Sequence, residues 1–268
     1  MTCSGAVAIV KFAMASAHPL PHSVRVKFRV TKSVSTKPRT SALESLPILQ
    51  DYYHSLFDAH GPQHWWPGRS HFEVIVGAIL VQNTAWTNVE SAIRNLRRAG
   101  LLAPAKMRAA APDSLAQLIR PSGYFRQKAK KLKAFVAFLS DEYSGSLAKM
   151  FLTPTDELRE QLLAIHGIGP ETADSILLYA GSRPVFVVDA YARRIMERHG
   201  LASRDHSYEQ LRALFEASLP REPQVFNEFH ALIVHAGKNF CRKSVADCSD
   251  CALRRFLPVD SPLRVGKP

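Results

Sequence analysis

The sequence predicts an all-α chain, and three observations carry that prediction. From Leu46 onward apolar residues recur at helical spacing, as in Phe72, Val76, Ile79 and Leu80, or Ala134, Phe135, Phe138 and Leu139. No alternating strand pattern persists. Breakers return at short intervals, among them Pro62, Gly100, Pro104, Pro112, Pro121, Gly123, Pro154 and Gly181, and cut the chain into roughly ten short helices. The run Pro184-Val185-Phe186-Val187-Val188 is the one strand-like segment, and five residues suit a buried extended connection equally well.

The 268 residues are 46% hydrophobic and 22% charged, which gives ample material for a buried core and excludes a small disulfide scaffold. No apolar run approaches the roughly 18 residues that span a bilayer, so a soluble chain with no membrane partner is expected. Lys and Arg number 35 against 23 Asp and Glu, a net +12 that favours a polyanionic partner. Seven of those surplus charges lie in residues 1–43, which contain no acidic residue, so residues 44–268 carry only +5. Residues 1–45 therefore read as a loose basic tail. A solvated arm, a DNA tether, a mis-assigned start and an organellar transit peptide share this composition.

Taken in chain order, the first distinctive segment is His64-Trp65-Trp66-Pro67, followed by Val81-Gln82-Asn83-Thr84-Ala85-Trp86; Trp65, Trp66 and Trp86 are the only tryptophans. Next comes Leu162-Leu163-Ala164-Ile165-His166-Gly167-Ile168-Gly169-Pro170-Glu171-Thr172, which reads as helix, tight turn, helix. Gly167 and Gly169 permit positive φ, Ile168 would plug the turn into the core, and Pro170 suits the first position of the second helix. Free N–H groups at such a turn bind a phosphate, although an ordinary interhelical turn uses the same residues. Asp189 follows the strand-like run and would cap a helix from Ala190 to His199.

Together these motifs resemble the helix-hairpin-helix-GPD superfamily of DNA glycosylases, in its endonuclease III-like group, from about Leu46 to Pro258. The resemblance implies a two-lobed helical fold with the active cleft between the lobes. Residues 73–183 would form a six-helix lobe with the hairpin at 162–180, and residues 46–72 plus 184–268 the second lobe. It also implies that Asp189 is catalytic, that Gly167, Ile168, Gly169 and Thr172 bind the DNA backbone, and that Gln82 fills the gap left by a flipped nucleotide. Bifunctional members carry a Schiff-base lysine where this chain has Glu171; a carboxylate forms no imine, so a monofunctional enzyme without AP-lyase activity is expected.

Trp65, Trp66, Pro67 and Trp86 resemble the base pocket of the 3-methyladenine branch, where aromatic faces favour a cationic base. The expected function is removal of an alkylated purine from double-stranded DNA by a monomer, in the cytoplasm at the nucleoid. Two alternatives remain: a glycosylase for oxidised or mismatched pyrimidines, and an inactive DNA-binding module. Cys241, Cys248 and Cys251 reproduce three positions of the family's [4Fe-4S] loop at 241–257, but Leu257 stands where the fourth cysteine belongs. The loop therefore reads as degenerate, with a lost cluster, a labile three-cysteine cluster and a zinc site as its possible states; Cys3, in the tail, is a poor substitute.

Overall fold

A computed structural model describes residues 46–261 and 263. The basic tail and Cys3 lie outside the described residues. Among those described there are twelve α-helices and no strand, and the described residues group as one compact unit.

Helix α1 (Leu46–His60) buries Leu49, Tyr52, Tyr53 and Leu56, a single stripe at helical spacing. Helix α2 (His71–Leu80) is capped by the Ser70 hydroxyl, which accepts from Glu73 N at 3.2 Å, and every residue from Phe72 to Leu80 is buried. Apart from Glu73, which pairs with Arg97 at 2.7 Å, the buried residues of α2 are apolar on every side, and the helix packs against α3 (Trp86–Arg98), α6 (Phe125–Tyr143) and α9 (Pro170–Ser175). Between α3 and α6 lie α4 (Pro104–Ala109) and α5 (Pro112–Leu118), each opened by a proline, which needs no hydrogen bond there. After α6 come α7 (Leu147–Met150) and α8 (Thr155–Ala164). Residues 73–183 thus hold eight α-helices where six were expected, because short proline-started helices fill the connections.

The basic cluster that opens α6 is used internally. Lys128 is buried and its Nζ donates to the carbonyls of Leu80 at 2.8 Å and Ser122 at 2.6 Å. Burial, and then the charge of Lys131, pull its ammonium down to about 8. Lys133 holds the carbonyls at the end of α4, while Arg126 and Lys130 stay exposed.

Helices α11 (Tyr208–Ser218) and α12 (Pro223–Asn239) pack on α1, and α10 (Ala190–Arg198) packs on α12. Their core is aromatic: Phe186 stacks on Phe215 at 4.2 Å and meets Phe226 edge-on at 5.6 Å. The 184–188 run is extended but pairs with no strand. Two of its amides are satisfied sideways, Phe186 N by Glu216 Oε1 at 3.0 Å and Val188 N by the Tyr208 hydroxyl at 3.4 Å, and Val185 N bonds locally to Arg183 O at 2.8 Å.

Candidate active site

The hairpin forms between α8 and α9, and α9 continues into a π-helical turn, Ile176–Ala180. Gly167 takes φ +83°, where a side chain would be strained and would also strike Lys131. Gly169 does not use that freedom: its φ is −95°, it caps α9, and a Cβ there would meet nothing within 4 Å. The glycine at 169 thus keeps the outer face of the turn bare, and Ile168 is buried beneath it. Thr172 is buried as well, and its hydroxyl accepts from Gln82 Nε2 at 2.8 Å rather than facing outward. Gln82 Nε2 also donates to Gly167 O at 3.2 Å, and its Oε1 accepts from Lys131 Nζ. The wedge candidate and the hairpin are therefore one hydrogen-bonded unit.

Asp189 is the N-cap of α10: its Oδ1 accepts from Tyr191 N at 2.9 Å and Ala192 N at 2.8 Å. Its other oxygen, Oδ2, lies 3.7 Å from His230 Nε2 of α12, and the two side chains are only 15% and 6% exposed. The opposite ring nitrogen, Nδ1, meets the Tyr179 hydroxyl at 2.5 Å. Burial holds His230 below the ordinary histidine range, with Asp189 pulling the other way, so the imidazole is neutral. Tyr179 is pushed far up by burial and then by Asp189, and keeps its proton.

Glu171 is near enough to Asp189 to feel its charge. Its carboxyl is pushed up to about 7, first by desolvation and then by the Asp189 anion.

The three tryptophans converge here. Trp66 lies edge-on to Trp86 at 5.0 Å and tilted against Tyr179 at 5.1 Å, while Trp65 sits 5.3 Å from Trp66 and 6.0 Å from Trp86. Gly77 lets Trp66 approach α2, since a Cβ would stand 3.1 Å from the indole. Trp86 Nε1 donates to Glu90 at 3.0 Å. Trp65 Nε1 is a buried donor with no well-aligned acceptor among the described residues, yet it is close enough to the Tyr179 hydroxyl to act on it. Pro67 is exposed beside the pair. Three indoles and a phenol thus pack together beside two carboxylates, a grouping whose aromatic faces and negative charge favour a flat, electron-poor ring.

A family model for HhH-GPD superfamily base excision DNA repair proteins matches residues 76–221. The chain belongs to this superfamily. The match takes in Gln82, Trp86, the hairpin and Asp189, and leaves Trp65, Trp66, His230 and the three described cysteines outside it. A presumed DNA repair glycosylase of Methanocaldococcus jannaschii is 46% identical over 78% of this chain and 95% of its own length. Endonuclease III of Thermotoga maritima is 27% identical over 68% of this chain and 80% of its own. Among solved structures, the H. pylori 3-methyladenine DNA glycosylase bound to 1,N6-ethenoadenine covers 74% of this chain and 98% of its own at 30% identity, TM-score 0.61. An endonuclease III–DNA covalent intermediate superposes with TM-score 0.68 over 81% of this chain and 96% of its own; at 22% identity it shares the fold. The HhH-GPD fold is all-α, as the sequence predicts, and no helix among the described residues is long and apolar enough to cross a membrane.

The cysteine loop does not offer a full cluster set. Cys241, Cys248 and Cys251 line one pocket with Asp247, Leu253 and Leu257. Leu257 is buried, so the position of the fourth thiolate is filled by an apolar side chain, and no group of three or more ligating residues with metal-site geometry occurs among the described residues. Protein contacts hold the loop instead. Arg198 Nη1 donates to Cys241 Sγ at 3.1 Å and to Arg242 O at 2.8 Å, and Arg194 Nε donates to Cys241 O at 2.7 Å. Four soft donors are the normal requirement of a [4Fe-4S] cluster, and these residues do not meet it.

Sequence reasoning missed Tyr179, His230 and Tyr208. The first two sit inside apolar helical runs, Leu177-Leu178-Tyr179-Ala180 and Phe229-His230-Ala231-Leu232, and a polar group within such a run was the available signal.

Proposed function

We propose that this base excision repair protein is a monofunctional DNA N-glycosylase that flips an alkylated purine, such as 3-methyladenine, into the tryptophan pocket and hydrolyses its glycosidic bond. The observation that carries the reading is the packing of Trp65, Trp66, Trp86 and Tyr179 beside Asp189 and Glu171. N3-alkylation gives adenine a positive charge and a weak glycosidic bond, so the base leaves without being protonated. Selection then rests on aromatic faces and nearby anions that favour a cationic ring. The likeness to the H. pylori 3-methyladenine glycosylase supports the same substrate class.

In this reading the Oδ2 atom of Asp189 does the chemistry, since Oδ1 is spent on the helix cap. The carboxylate stabilises the positive charge that develops on the sugar and accepts a proton from the attacking water. Glu171 offers no amine, so the sugar leaves as a free abasic site rather than an enzyme-linked imine. The hairpin anchors one phosphate over the bare face at Gly169. Gln82, braced by Thr172 and Lys131, holds the duplex open. The three-cysteine loop serves as a protein-held brace without a complete cluster.

Parallel incubation of the purified protein with alkylated and oxidised oligonucleotides, with and without alkali, tests this. Release of the alkylated base with strand breaks only after alkali is expected. Release of oxidised or mismatched pyrimidines in its place, strand cleavage without alkali, or no release at all would each overturn it.

A further inference from the structure

His230 carries a buried nitrogen aimed at the reacting carboxylate. Nε2 has no hydrogen-bond partner among the described residues and stands 3.7 Å from Asp189 Oδ2, too far for a direct hydrogen bond. A water placed about 2.8 Å from each atom fits that separation. On the far side of the ring, Tyr179 meets Nδ1 at 2.5 Å. The Asp189 carboxylate, 3.7 Å from Nε2, favours the tautomer with the proton on that nitrogen, in which Nδ1 accepts from the Tyr179 hydroxyl. The ring proton then sits on Nε2, directed at Asp189.

We propose that His230 is a positioning residue for hydrolysis: its Nε2–H and Asp189 Oδ2 together seat the attacking water, and Tyr179 sets the tautomer that makes this possible. The proposal rests on the glycosylase reading of the site. The water accepts from Nε2–H through one lone pair and donates to Oδ2, leaving its second lone pair free. That pair forms the bond to C1′ as the C1′–N bond breaks. The bonding electrons depart with the base, and the water's proton passes to Asp189 Oδ2. His230 begins and ends the step with the same proton, which separates it from a general base.

The test compares wild type with His230→Phe, His230→Gln and Tyr179→Phe. Single-turnover release of base from a methylated duplex is followed, together with binding to a duplex holding an abasic-site analogue. Phe keeps the shape and loses the donor, so excision should fall by about 100-fold with abasic-site binding unchanged; Gln restores a donor and should recover most of the rate. In the free protein, nitrogen NMR should show His230 neutral and protonated at Nε2, with a mixture of tautomers in Tyr179→Phe. His230→Phe at the wild-type rate, no recovery by Gln, or a ring protonated at Nδ1 would overturn the proposal. A wild type that releases no base would instead overturn the glycosylase reading, and the NMR result would still report the tautomer.

Discussion

Tyr208 and Asp174 join the hairpin to the segment that carries Asp189. The Tyr208 hydroxyl donates to Asp174 Oδ2 at 2.9 Å and accepts from Val188 N at 3.4 Å, one residue before the cap. Asp174 is fully buried and is gripped from the other side by Arg159, at 2.6 Å and 3.1 Å. Burial raises its carboxyl above the usual range, while Arg159 and Tyr208 draw it back. The hairpin helix thereby sets the position of the loop that ends at Asp189 through side chains rather than through a sheet.

Tyr208→Phe should therefore weaken the protein and the chemistry together. It strips one partner each from a buried carboxylate and a buried amide, a loss of about 1–3 kcal/mol, and frees Val188 to shift Asp189. Thermal melting and single-turnover excision measured side by side check this. An unchanged Tm with unchanged excision would show that the link does not position the site.

Glu171 predicts a pH dependence. Its carboxyl is raised to about 7 by desolvation and by Asp189, so it is neutral below that pH and ionised above it. The ionised form adds a second anion beside a cationic base and a developing sugar cation. Excision should accordingly rise as pH increases through about 7, and Glu171→Gln should flatten the profile between pH 6 and 8. A wild-type profile that falls over this range would refute the assignment.

Leu257 predicts the state of the cysteine loop. With three thiols in the pocket and an apolar fourth side, aerobically purified protein should be colourless or hold far less than the roughly four irons of a complete cluster. Leu257→Cys should gain iron and visible absorbance on anaerobic reconstitution. Near-stoichiometric iron in the wild type would show that three cysteines suffice.

The helices were legible because α1, α3 and α12 each carry an apolar stripe at helical spacing, and proline or a capping residue marks many of their starts. The hairpin turn and the Asp189 cap were legible from residue type and spacing. Two roles were not. Gly169 looked like a second positive-φ glycine, and only the backbone shows that Gly167 alone takes that conformation. Lysines at the start of α6 are another case, since Lys128, Lys131 and Lys133 turn inward to carbonyls and to Gln82. Charge composition does not encode side-chain direction. Tyr179 and His230 come from helices 51 residues apart, and their meeting is a product of packing that no local pattern records.

The most direct test of the central claim separates the two oxygens of Asp189. Asparagine retains an oxygen for the cap at Tyr191 and Ala192 but loses the carboxylate charge, whereas alanine loses both. Single-turnover excision from a methylated duplex, read with thermal melting, should show Asp189→Asn melting near wild type yet excising at least about 100-fold more slowly. Asp189→Ala should be equally slow and about 1 kcal/mol less stable. Asp189→Asn that releases base at the wild-type rate would reduce Asp189 to a helix cap and contradict the account.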